Sequence, residues 1–526
     1  MWGVVAKDVA SFSRRFPTLR FYNFKCMRNF NISFFLSLIL FPLFLGNCQD
    51  EDFTTDSSYK LTLSVDTLSF DTIFSESLTA MQRIMVYNNN NKSIRIDKIY
   101  HESSVKCFQI NVNGKSGSTF NGVELAAKDS MFIFVQAKAE KSGKDDPLYV
   151  LDSLVFLYNG NRQDVKLVAY GQDAYRLKGI TIERDTQWVG EKPYLIFDTL
   201  TIAEGATLTL QPGTKLYFHN NAHLQIKGRI IANGDFTKAP IIFRGDRLDY
   251  IYDNILYDKI VGQWDGISIT KESSGNIFNG CIIRSCNTAL CIDSAEIDPE
   301  NRRVTISNSW IHNTKSVALK ATNANIYAYN TIISNALNAN LLLQGGEYLF
   351  NHCSIIGYPR NSRYNSSVVL SNYELYTAEE ALIPLQKADF NNCIIMGTYK
   401  EEIKLSGDKE KGPFLYAFRN CLLKSADLVK EGVASDTLQE GDHSYPFVDN
   451  IWNENPGFVL VDWDNYEFDF RLDSTSAAIG KANSALYKEF PECRTDLYGV
   501  DRASRDSSDI GASLWVKEVA AAEDKK

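Results

Sequence analysis

The chain has 526 residues, a formal net charge of −9 and a pI near 5.4. This length exceeds one ordinary domain and predicts two or three. The acidic balance and the lack of a run rich in Lys or Arg argue against a nucleic-acid partner. An acidic chain also repels polyanionic glycans unless a local basic patch or bound cations intervene.

The N-terminal region contains an apolar run, NISFFLSLILFPLFL, at Asn31–Leu45. It is too short for a transmembrane helix and has the length of a signal-peptide h-region. Met27 and Arg28 lie just before it and supply a short basic n-region. We therefore expect Met27 to be the true start, Met1–Cys26 to be upstream sequence, and residues 1–47 to form a signal-peptide region.

The apolar run ends in LGNC at Leu45–Cys48 and continues as QDEDF. This pattern resembles a bacterial lipoprotein signal, which implies that Cys48 is acylated and anchors the protein to a membrane. The acidic residues that follow resemble the surface-export signal of Bacteroidetes lipoproteins. That resemblance implies an outer-membrane protein facing the cell surface or the periplasm. Acyl chains stabilise such attachment by about 0.8 kcal/mol per buried CH₂, and the alternative is a plain secretory signal with a chance cysteine.

The next part of the chain reads as a polar tether followed by an all-β domain. Residues 48–60 are the predicted lipidated tether, and residues 61–175 contain about seven alternating segments separated by Asn, Gly and Asp turns. This pattern is typical of a β-sandwich. The order VYNNNNKSIRI, KDSMFIFVQ and VKLVAYG resembles the immunoglobulin-like domains of the ASH/MSP type. Such a module implies a spacer or a binding domain rather than an active site.

Residues 176–517 are predicted to form a solenoid, which begins near Ile180. The alternating segment Leu200–Gly234, followed by APIIFRG and WDGISI, resembles the first coils of bacterial β-helix proteins. We expect it to cap the apolar end of the stack. His219 and His223 lie near one turn, and without a nearby carboxylate in the sequence we interpret them as surface or turn histidines.

A segment rich in Tyr and Asp, Asp246–Gln263, is too long for a turn between coils. Long loops on a rigid scaffold are where binding residues concentrate. Tyrosine faces stack on sugar rings, and carboxylates bind cations or sugar hydroxyls. The alternative is a loop that packs its own aromatic side chains against the solenoid. The candidate ligand-binding residues are Tyr250, Tyr252, Tyr257, Trp264 and Asp265.

One short phrase returns six times between Phe278 and Ser425. Its copies are Phe278–Ile283, Ile306–Ile311, Ala328–Ile333, Phe350–Ile355, Phe390–Ile395 and Phe418–Leu423. The fourth position is always small: Cys281, Ser309, Thr331, Cys353, Cys393 and Cys421. The third position is Asn in four copies, with Gly280 and His352 in the others.

Repeats of this length, about 20–30 residues, predict a parallel β-helix, in which equivalent residues stack into columns. Cys, Ser and Thr suit a narrow interior corner, and Asn suits a sharp bend because it tolerates the left-handed conformation. The missing LxxLxLxxN string excludes a leucine-rich horseshoe. The largest spacing between successive copies, from Phe350–Ile355 to Phe390–Ile395, is interpreted as one coil plus a surface insertion at about 361–388. The region resembles the right-handed β-helix family of the pectin-lyase type, and its Asn column resembles the asparagine ladder of that family.

The C-terminal part, Asn455–Val516, resembles the closing segment of Bacteroidetes β-helix proteins, with its DFRL strand, SAAIGKA turn and DIGA ending. That resemblance implies a segment that ends the solenoid, and residues 518–526 read as a disordered polar tail. The fold class is thus all-β: a right-handed parallel β-helix preceded by an immunoglobulin-like β-sandwich.

Ten cysteines in an exported chain raise the question of disulfides. Four of them fall in the small-residue column, where buried Cys behaves as a small hydrophobe. Cys393 and Cys421 are expected neighbours, so one bridge stays open as an alternative. No spacing of Cys and His indicates zinc, and no metal site is predicted.

Two functions remain open on the sequence. The first is a polysaccharide lyase or glycoside hydrolase acting on an acidic or complex polysaccharide, as the fold resemblance implies; a lyase would use Ca²⁺, and no other cofactor is expected. A hydrolase needs two carboxylates. The best charged neighbourhood comprises Asp293, Asp298, Arg302 and Arg303, with Arg284 one coil surface away, and its alternative is a solvated loop.

The second function, which we favour slightly because family catalytic motifs are missing, is a non-catalytic surface protein. It would bind glycan or another protein through the ladder face of the solenoid. Its partners would be the membrane, through the lipid anchor, and a polysaccharide or surface protein; we expect a monomer. Fold alone does not decide between the two.

Overall fold

A computed structural model describes residues 53–104, 106–252, 255–359, 365–375, 381–430 and 446–517. The predicted signal region 1–47, Cys48 and the tail 518–526 lie outside these residues. Within the described part, no helix has the length and apolar character needed to cross a membrane.

The N-terminal domain is a sandwich of two sheets. The first sandwich sheet contains Phe53–Thr54, Ser93–His101, Leu148–Tyr158, Asn161–Gln172, Thr67–Phe74 and Thr119–Leu125. The second sandwich sheet contains Thr62–Leu63, Gln82–Tyr87, Ser130–Ala137, Phe108–Val112 and Lys115–Gly117. Inward-facing residues alternate with exposed ones, so aliphatic side chains from both sheets meet in one core.

The sandwich starts earlier in the chain than the sequence predicted. Phe53 and Thr54 pair in parallel with Ser93 and Ile94 of the first sandwich sheet. Residues 48–60 are therefore not all tether, because backbone pairing fixes the chain from Phe53 onward.

Three long parallel sheets build the second domain. The covered sheet contains Tyr175–Lys178, Tyr194–Phe197, Lys215–Phe218, Ile241–Gly245, Cys281–Arg284, Trp310–His312, Ile332–Ser334, Ser354–Gly357, Ile394–Gly397, Leu422–Leu423 and Ile451–Trp452. The open sheet contains Thr181–Ile182, Thr199–Ile202, His223–Ile226, Trp264–Ile269, Cys286–Ile292, Val317–Thr322, Ala339–Gln344, Val368–Ser371 and Ile403–Ser406. The Phe sheet contains Thr186–Trp188, Thr207–Leu210, Arg229–Asn233, Asn276–Asn279, Val304–Ser307, Asn325–Tyr329, Gly346–Asn351, Leu385–Asn391, Ala417–Arg419 and Phe447–Val448.

Successive strands along the chain visit the three sheets in turn, which makes each coil one strand from each sheet. The first coil starts at Tyr175–Lys178, and its strands occupy the end position of all three sheets. The segment Leu200–Gly234 forms ordinary coils within the stack rather than the expected cap. The predicted parallel β-helix is confirmed.

The columns predicted from the repeat are present. All six small residues at the fourth position are fully buried in the common core. The preceding position has a left-handed backbone in every copy, with φ between 46° at Asn308 and 61° at Gly280. Asn and Gly suit this bend because they tolerate positive φ at low steric cost. The described cysteines are all free thiols, so Cys393 and Cys421 stack, with Cys393 N–H 3.3 Å from Cys421 Sγ, without a bridge.

The interior next to these corners is filled by phenylalanine. Phe350, Phe390, Phe418 and Phe447 stack in sequence, with ring planes within 7° of parallel and centroids 4.7–5.2 Å apart. The rings stack because in-register parallel strands place identical side chains directly above each other. Such aromatic pairs stabilise the fold beyond the contribution of their buried area.

Two regions differ from expectation. The insertion placed at 361–388 contains Val368–Ser371 and the start of Leu385–Asn391, which are coil strands of the open and Phe sheets. The aliphatic residues of Val368–Ser371 are buried on both faces, which conceals the alternation typical of a coil.

The C-terminal segment Asn455–Val516 does not close the end of the solenoid. It begins with a hairpin, Phe458–Asp462 and Glu467–Leu472, and includes short helical turns at Leu486–Glu489, Pro491–Arg494 and Arg502–Ser504. It lies along the outer surface of the covered sheet, where its apolar residues pack on Ile332, Ile356 and Ile394.

Candidate functional site

The long loop Asp246–Gln263 lies on the covered sheet and is fixed by a buried ion cluster. Asp258, on the short helical turn Tyr257–Lys259, is 3% exposed. Its Oδ2 lies 2.8 Å from Arg244 Nη1 and 2.6 Å from Arg284 Nη2. Burial lowers the pKa of Arg244, although Asp258 opposes this effect. One carboxylate shared between two guanidinium groups anchors the loop instead of facing a ligand.

The tyrosines predicted to bind sugar have different surroundings. Arg247 lies over the ring of Tyr257, with its Cζ 3.6 Å from the centroid, and pairs with Asp249 at 2.5 Å. Tyr250 is 47% exposed. The side chain of Tyr252 lies outside the described part of the structure. The loop thus packs much of its aromatic and charged content on itself, as the alternative interpretation held.

Trp264 was predicted to bind ligand, and the structure contradicts this. Its side chain is fully buried, stacks on Phe218 at 4.1 Å between centroids, and donates from Nε1 to the Arg284 carbonyl at 2.9 Å. The alternation of its strand directs Trp264 inward and Asp265 outward. Asp265 is half-buried on the open sheet, where its Oδ1 accepts from Asn287 Nδ2 at 2.8 Å.

The candidate catalytic residues are not brought together. Arg303 is buried and donates to the backbone carbonyls of Ser273, Asp293 and Thr270, a structural role. Asp298 caps its own turn through the N–H groups of residues 300 and 301.

The remaining two arginines of this set point elsewhere. Arg302 lies 4.7 Å above the ring of Tyr327, beside the Phe sheet. Arg284 belongs to the covered sheet and is held by Asp258. Arg284 was expected one coil surface away from the acidic loop, and its place on the covered sheet separates it from that loop.

The two histidines lie at a turn and on an outward strand face, in line with the surface interpretation, although one has a carboxylate partner that the sequence did not indicate. His219 has a carboxylate partner after all, since its Nδ1 lies 2.7 Å from Asp246 Oδ2. His223 faces outward on the open sheet with its Nε2 2.7 Å from Ser268 Oγ, and burial lowers its pKa. Among the residues that the structure describes, no three His, Cys, Asp or Glu side chains are grouped as metal ligands.

Most of the covered sheet is masked by other parts of the chain. The sandwich packs on its first strands, where Phe74 contacts Tyr217 at 5.0 Å between centroids and Arg176 Nη2 donates to Ser77 Oγ at 2.6 Å. The loop Asp246–Gln263 follows, and Lys259 joins it to Glu467 of the C-terminal segment at 3.3 Å.

The C-terminal segment masks the asparagine ladder as well. Asn330 accepts from Arg502 at 3.0 Å, and Asn392 accepts from the Asn483 N–H at 2.8 Å. Both asparagines are buried. The ladder is therefore unavailable as the ligand surface that the sequence suggested.

The open sheet presents a continuous outward column. Parallel registers align Thr201, Gln225, Ser268, Cys291, Lys320, Leu342, Val369 and Lys404. Its first half is uncharged and able to hydrogen-bond, and a second column adds Thr199, His223, Gly266 and Thr288. Position 266 accommodates only glycine, because a Cβ there would lie 1.7 Å from the carbonyl oxygen of Thr288.

The same column ends in a cleft of about 450 Å³. Four aliphatic side chains form its floor: Val317, Ala339, Leu342 and Val369. Polar side chains form its rim: Asn338, Asn365, Tyr399, Glu401, Lys404 and Asp427. Sequence analysis missed this cleft, although ANLLLQ and VVLS, which are apolar on both faces, are a signal that their outer face is apolar too.

The carboxylate of Glu401 is held by neighbouring groups. Its Oε2 accepts from Ser425 Oγ at 2.5 Å and from the Asp427 N–H at 3.2 Å. The side chain of Lys404 lines the same cleft and is exposed to solvent. The cleft thus combines an apolar floor with amide, phenol and charged groups, which is typical of a small polar-rimmed binding site.

Comparison with known proteins supports the fold. Residues 179–337 match the family model described as right handed beta helix region. No curated protein matches the chain.

Solved structures give only partial, low similarities. A protein of unknown function from Porphyromonas gingivalis W83 is 10% identical over 21% of this chain and 46% of its own, with a TM-score of 0.17. The VesB protease of Vibrio cholerae is 13% identical over 27% of this chain and 36% of its own, with a TM-score of 0.16. The ASH/PapD-like domain 7 of human CEP192 is 10% identical over 22% of this chain and 85% of its own, with a TM-score of 0.15. The chain spans less than half the length of the first two.

Strand topology and the family match together define the architecture. The chain is a β-helix protein, in which an immunoglobulin-like sandwich precedes a right-handed parallel β-helix.

Proposed function

We propose that this protein is a lipid-anchored surface protein of the Bacteroidetes type that binds a glycan chain lengthwise on the open sheet, without cleaving it. The single observation that carries this proposal is the outward-facing column from Thr201 to Lys404, which runs into the cleft. The lipoprotein-like sequence at Leu45–Cys48 supports the anchor.

The chemistry of the open sheet suits a polymer of repeating units. Each coil adds one outward residue about every 4.8 Å along the solenoid axis. Hydroxyl, amide and imidazole groups therefore recur along the face and offer hydrogen bonds to sugar hydroxyls. The aliphatic floor at Leu342 and Val369 suits the apolar face of a sugar ring.

Binding without cleavage is favoured by how the carboxylates are used. Hydrolysis of a glycosidic bond requires two carboxyl groups flanking that bond. On the open sheet, Asp265 is held by Asn287, and Glu401 is held by Ser425 and the Asp427 N–H. These contacts position the carboxylates for structure rather than for proton transfer.

The test uses the soluble chain that begins at Gln49. It is incubated with neutral and acidic polysaccharides, with calcium and with chelator, and both retention and products are assayed. We expect retention on at least one glycan, and neither unsaturated products nor new reducing ends. Unsaturated products that vanish with chelator would establish a calcium-dependent lyase, and new reducing ends a hydrolase; either overturns the proposal.

A matched pair of variants places the interaction on the open sheet. Leu342→Arg fills the cleft and is expected to weaken retention at least tenfold; because Leu342 is only 6% exposed, circular dichroism must first show that the variant is folded. Gln187→Arg introduces the same side chain at an exposed position of the Phe sheet and should leave retention unchanged. Equal retention of both variants, or no retention of the unmodified chain by any glycan, would contradict the proposal.

A further inference from the structure

The outer face of the second sandwich sheet carries two exposed phenyl rings. Phe132 and Phe134 are 44% and 37% exposed on a central strand of that sheet. Their planes are within 9° of parallel and their centroids lie 6.0 Å apart. The solvent face of an antiparallel sheet is ordinarily polar, so neighbouring exposed rings indicate a contact surface.

The same face carries a cation, and its strands supply no carboxylate. The five strands of the second sandwich sheet contain no Asp or Glu. Arg83 pairs in register with Phe134 and shares its face, whereas Lys115 pairs with the buried Val112 and lies on the other side of the sheet. Arg83 has no carboxylate within ion-pair distance among the described residues. The Cζ of Arg83 lies 5.9 Å from the centroid of Phe132. The acidic side chains of the sandwich lie on the other sheet and in the loops.

Amide side chains complete the face. Asn111 pairs in register with Phe134, and Gln109 pairs with Gln136 on the same strand as the rings. The exposed Gln109 and the Arg83 guanidinium offer several N–H donors beside the rings. A surface of rings, amides and one unpaired guanidinium matches a ligand that is partly apolar, rich in hydroxyls and negatively charged.

We propose that this face, which we call the Phe132 face, is a second binding site, and that its ligand is an anionic glycan. The rings cover the apolar face of a sugar, and Arg83 pairs with a carboxylate, sulfate or phosphate group. Charge complementarity selects an anionic ligand, because Arg83 lies beside the rings and the strands of this sheet contain no Asp or Glu. A second copy of the chain is disfavoured, since it would bring two Arg83-bearing faces together. The site is independent of the open sheet.

The test compares polymers that differ only in charge. The chain beginning at Gln49 is run through gels that contain carboxymethyl cellulose or hydroxyethyl cellulose, and dextran sulfate or dextran. We expect retardation by at least one charged polymer, at least threefold greater than by its neutral counterpart, and weakened by added salt because the contact is partly ionic. Equal retardation by the charged and neutral polymers, or none by either charged polymer, would overturn the proposal.

Variants assign the retardation to the Phe132 face. Phe132→Ala with Phe134→Ala should raise the dissociation constant at least tenfold, and Arg83→Ala should remove the preference for charge. Tyr149→Ala with Tyr170→Ala, an exposed aromatic pair on the first sandwich sheet, is the matched control and should bind normally. Circular dichroism confirms folding of each variant.

The outcomes separate the two sites. Loss of binding in Leu342→Arg with no effect of the Phe132 and Phe134 changes would overturn this inference and leave the open-sheet proposal intact. A charged polymer bound normally by the Phe132 and Phe134 double variant would also overturn it, since another surface must then hold the polymer.

Discussion

His352 occupies a position that is Asn in four of the six repeats, and it predicts a specific acid sensitivity. The imidazole is fully buried, and its Nε2 lies 3.1 Å from Asn392 Nδ2. Burial and the nearby Arg502 guanidinium lower the pKa of His352 well below its usual value. The carbonyls of Asp509 and Gly511 oppose this shift but do not reverse it.

The direction of the pH effect follows from that shift. The unfolded chain takes up a proton at His352 near pH 6.5, whereas the folded chain does not. Stability is therefore fully present above about pH 6.5 and falls as the pH drops below it. The loss at pH 5.5 is at most about 1.4 kcal/mol, which is the limit for an imidazole that stays neutral in the folded chain. His312, whose pKa is lowered by burial and by Arg284, should add a similar loss.

The perturbation is His352→Asn, which restores the common ladder residue and its amide. The assay is urea unfolding at pH 7.5 and pH 5.5, compared with the unmodified chain and with His219→Asn, an exposed control. Between these pH values the variant should lose less free energy of unfolding than the unmodified chain, by up to about 1.4 kcal/mol. An identical pH dependence for the variant and the unmodified chain would refute the assignment of a buried neutral imidazole.

Three further changes test the packing. Burial lowers the pKa of Arg502 to about 10, so the guanidinium stays charged at neutral pH while it donates hydrogen bonds to Asn330 and to backbone carbonyls. Arg502→Met should lower the free energy of unfolding, measured with a chemical denaturant, by about 3 kcal/mol. A loss below about 1 kcal/mol would show that these hydrogen bonds are dispensable. Cys393→Ser should lower the free energy of unfolding by less than about 1.5 kcal/mol, because Ser309 occupies the same column in another coil. Cys393→Leu should lower it by about 1–3 kcal/mol, because the larger side chain overpacks the corner. Equal Tm values for the two variants would contradict a tightly packed corner. Trp264→Ala should lower the free energy of unfolding by about 3–5 kcal/mol. A change in glycan retention with no loss of stability would instead show that Trp264 contacts the ligand.

The repeat made much of the fold predictable from sequence. Stacked coils give equivalent residues the same surroundings, so a small residue at Cys281 and a bend at Asn308 recur in each copy where geometry demands them. The strands of the sandwich could be predicted from alternating apolar and polar residues, because one face of each strand is buried and the other faces solvent. Local periodicity carries this information without any long-range contact.

The site was far less predictable, because it depends on which face of each coil stays uncovered. No local pattern indicated that Asn455–Val516 would lie along the covered sheet and reach Asn330 through Arg502. The carboxylates of the loop Asp246–Gln263 were expected to bind cations or sugar hydroxyls, but that of Asp258 is held by Arg244 of its own coil and Arg284 of the next coil. Only the apolar runs at Ala339–Gln344 and Val368–Ser371 carried a local signal for the cleft.

Lysine acetylation with mass spectrometry tests the central claim most directly, because each face of the β-helix has an exposed lysine. Lys404 lies on the open sheet, Lys215 on the covered sheet and Lys387 on the Phe sheet. With a saturating glycan that the chain retains, the open-sheet account predicts that acetylation of Lys404 slows several-fold while Lys215 and Lys387 react at their free rates. Protection of Lys215 or Lys387 with Lys404 unchanged would contradict it.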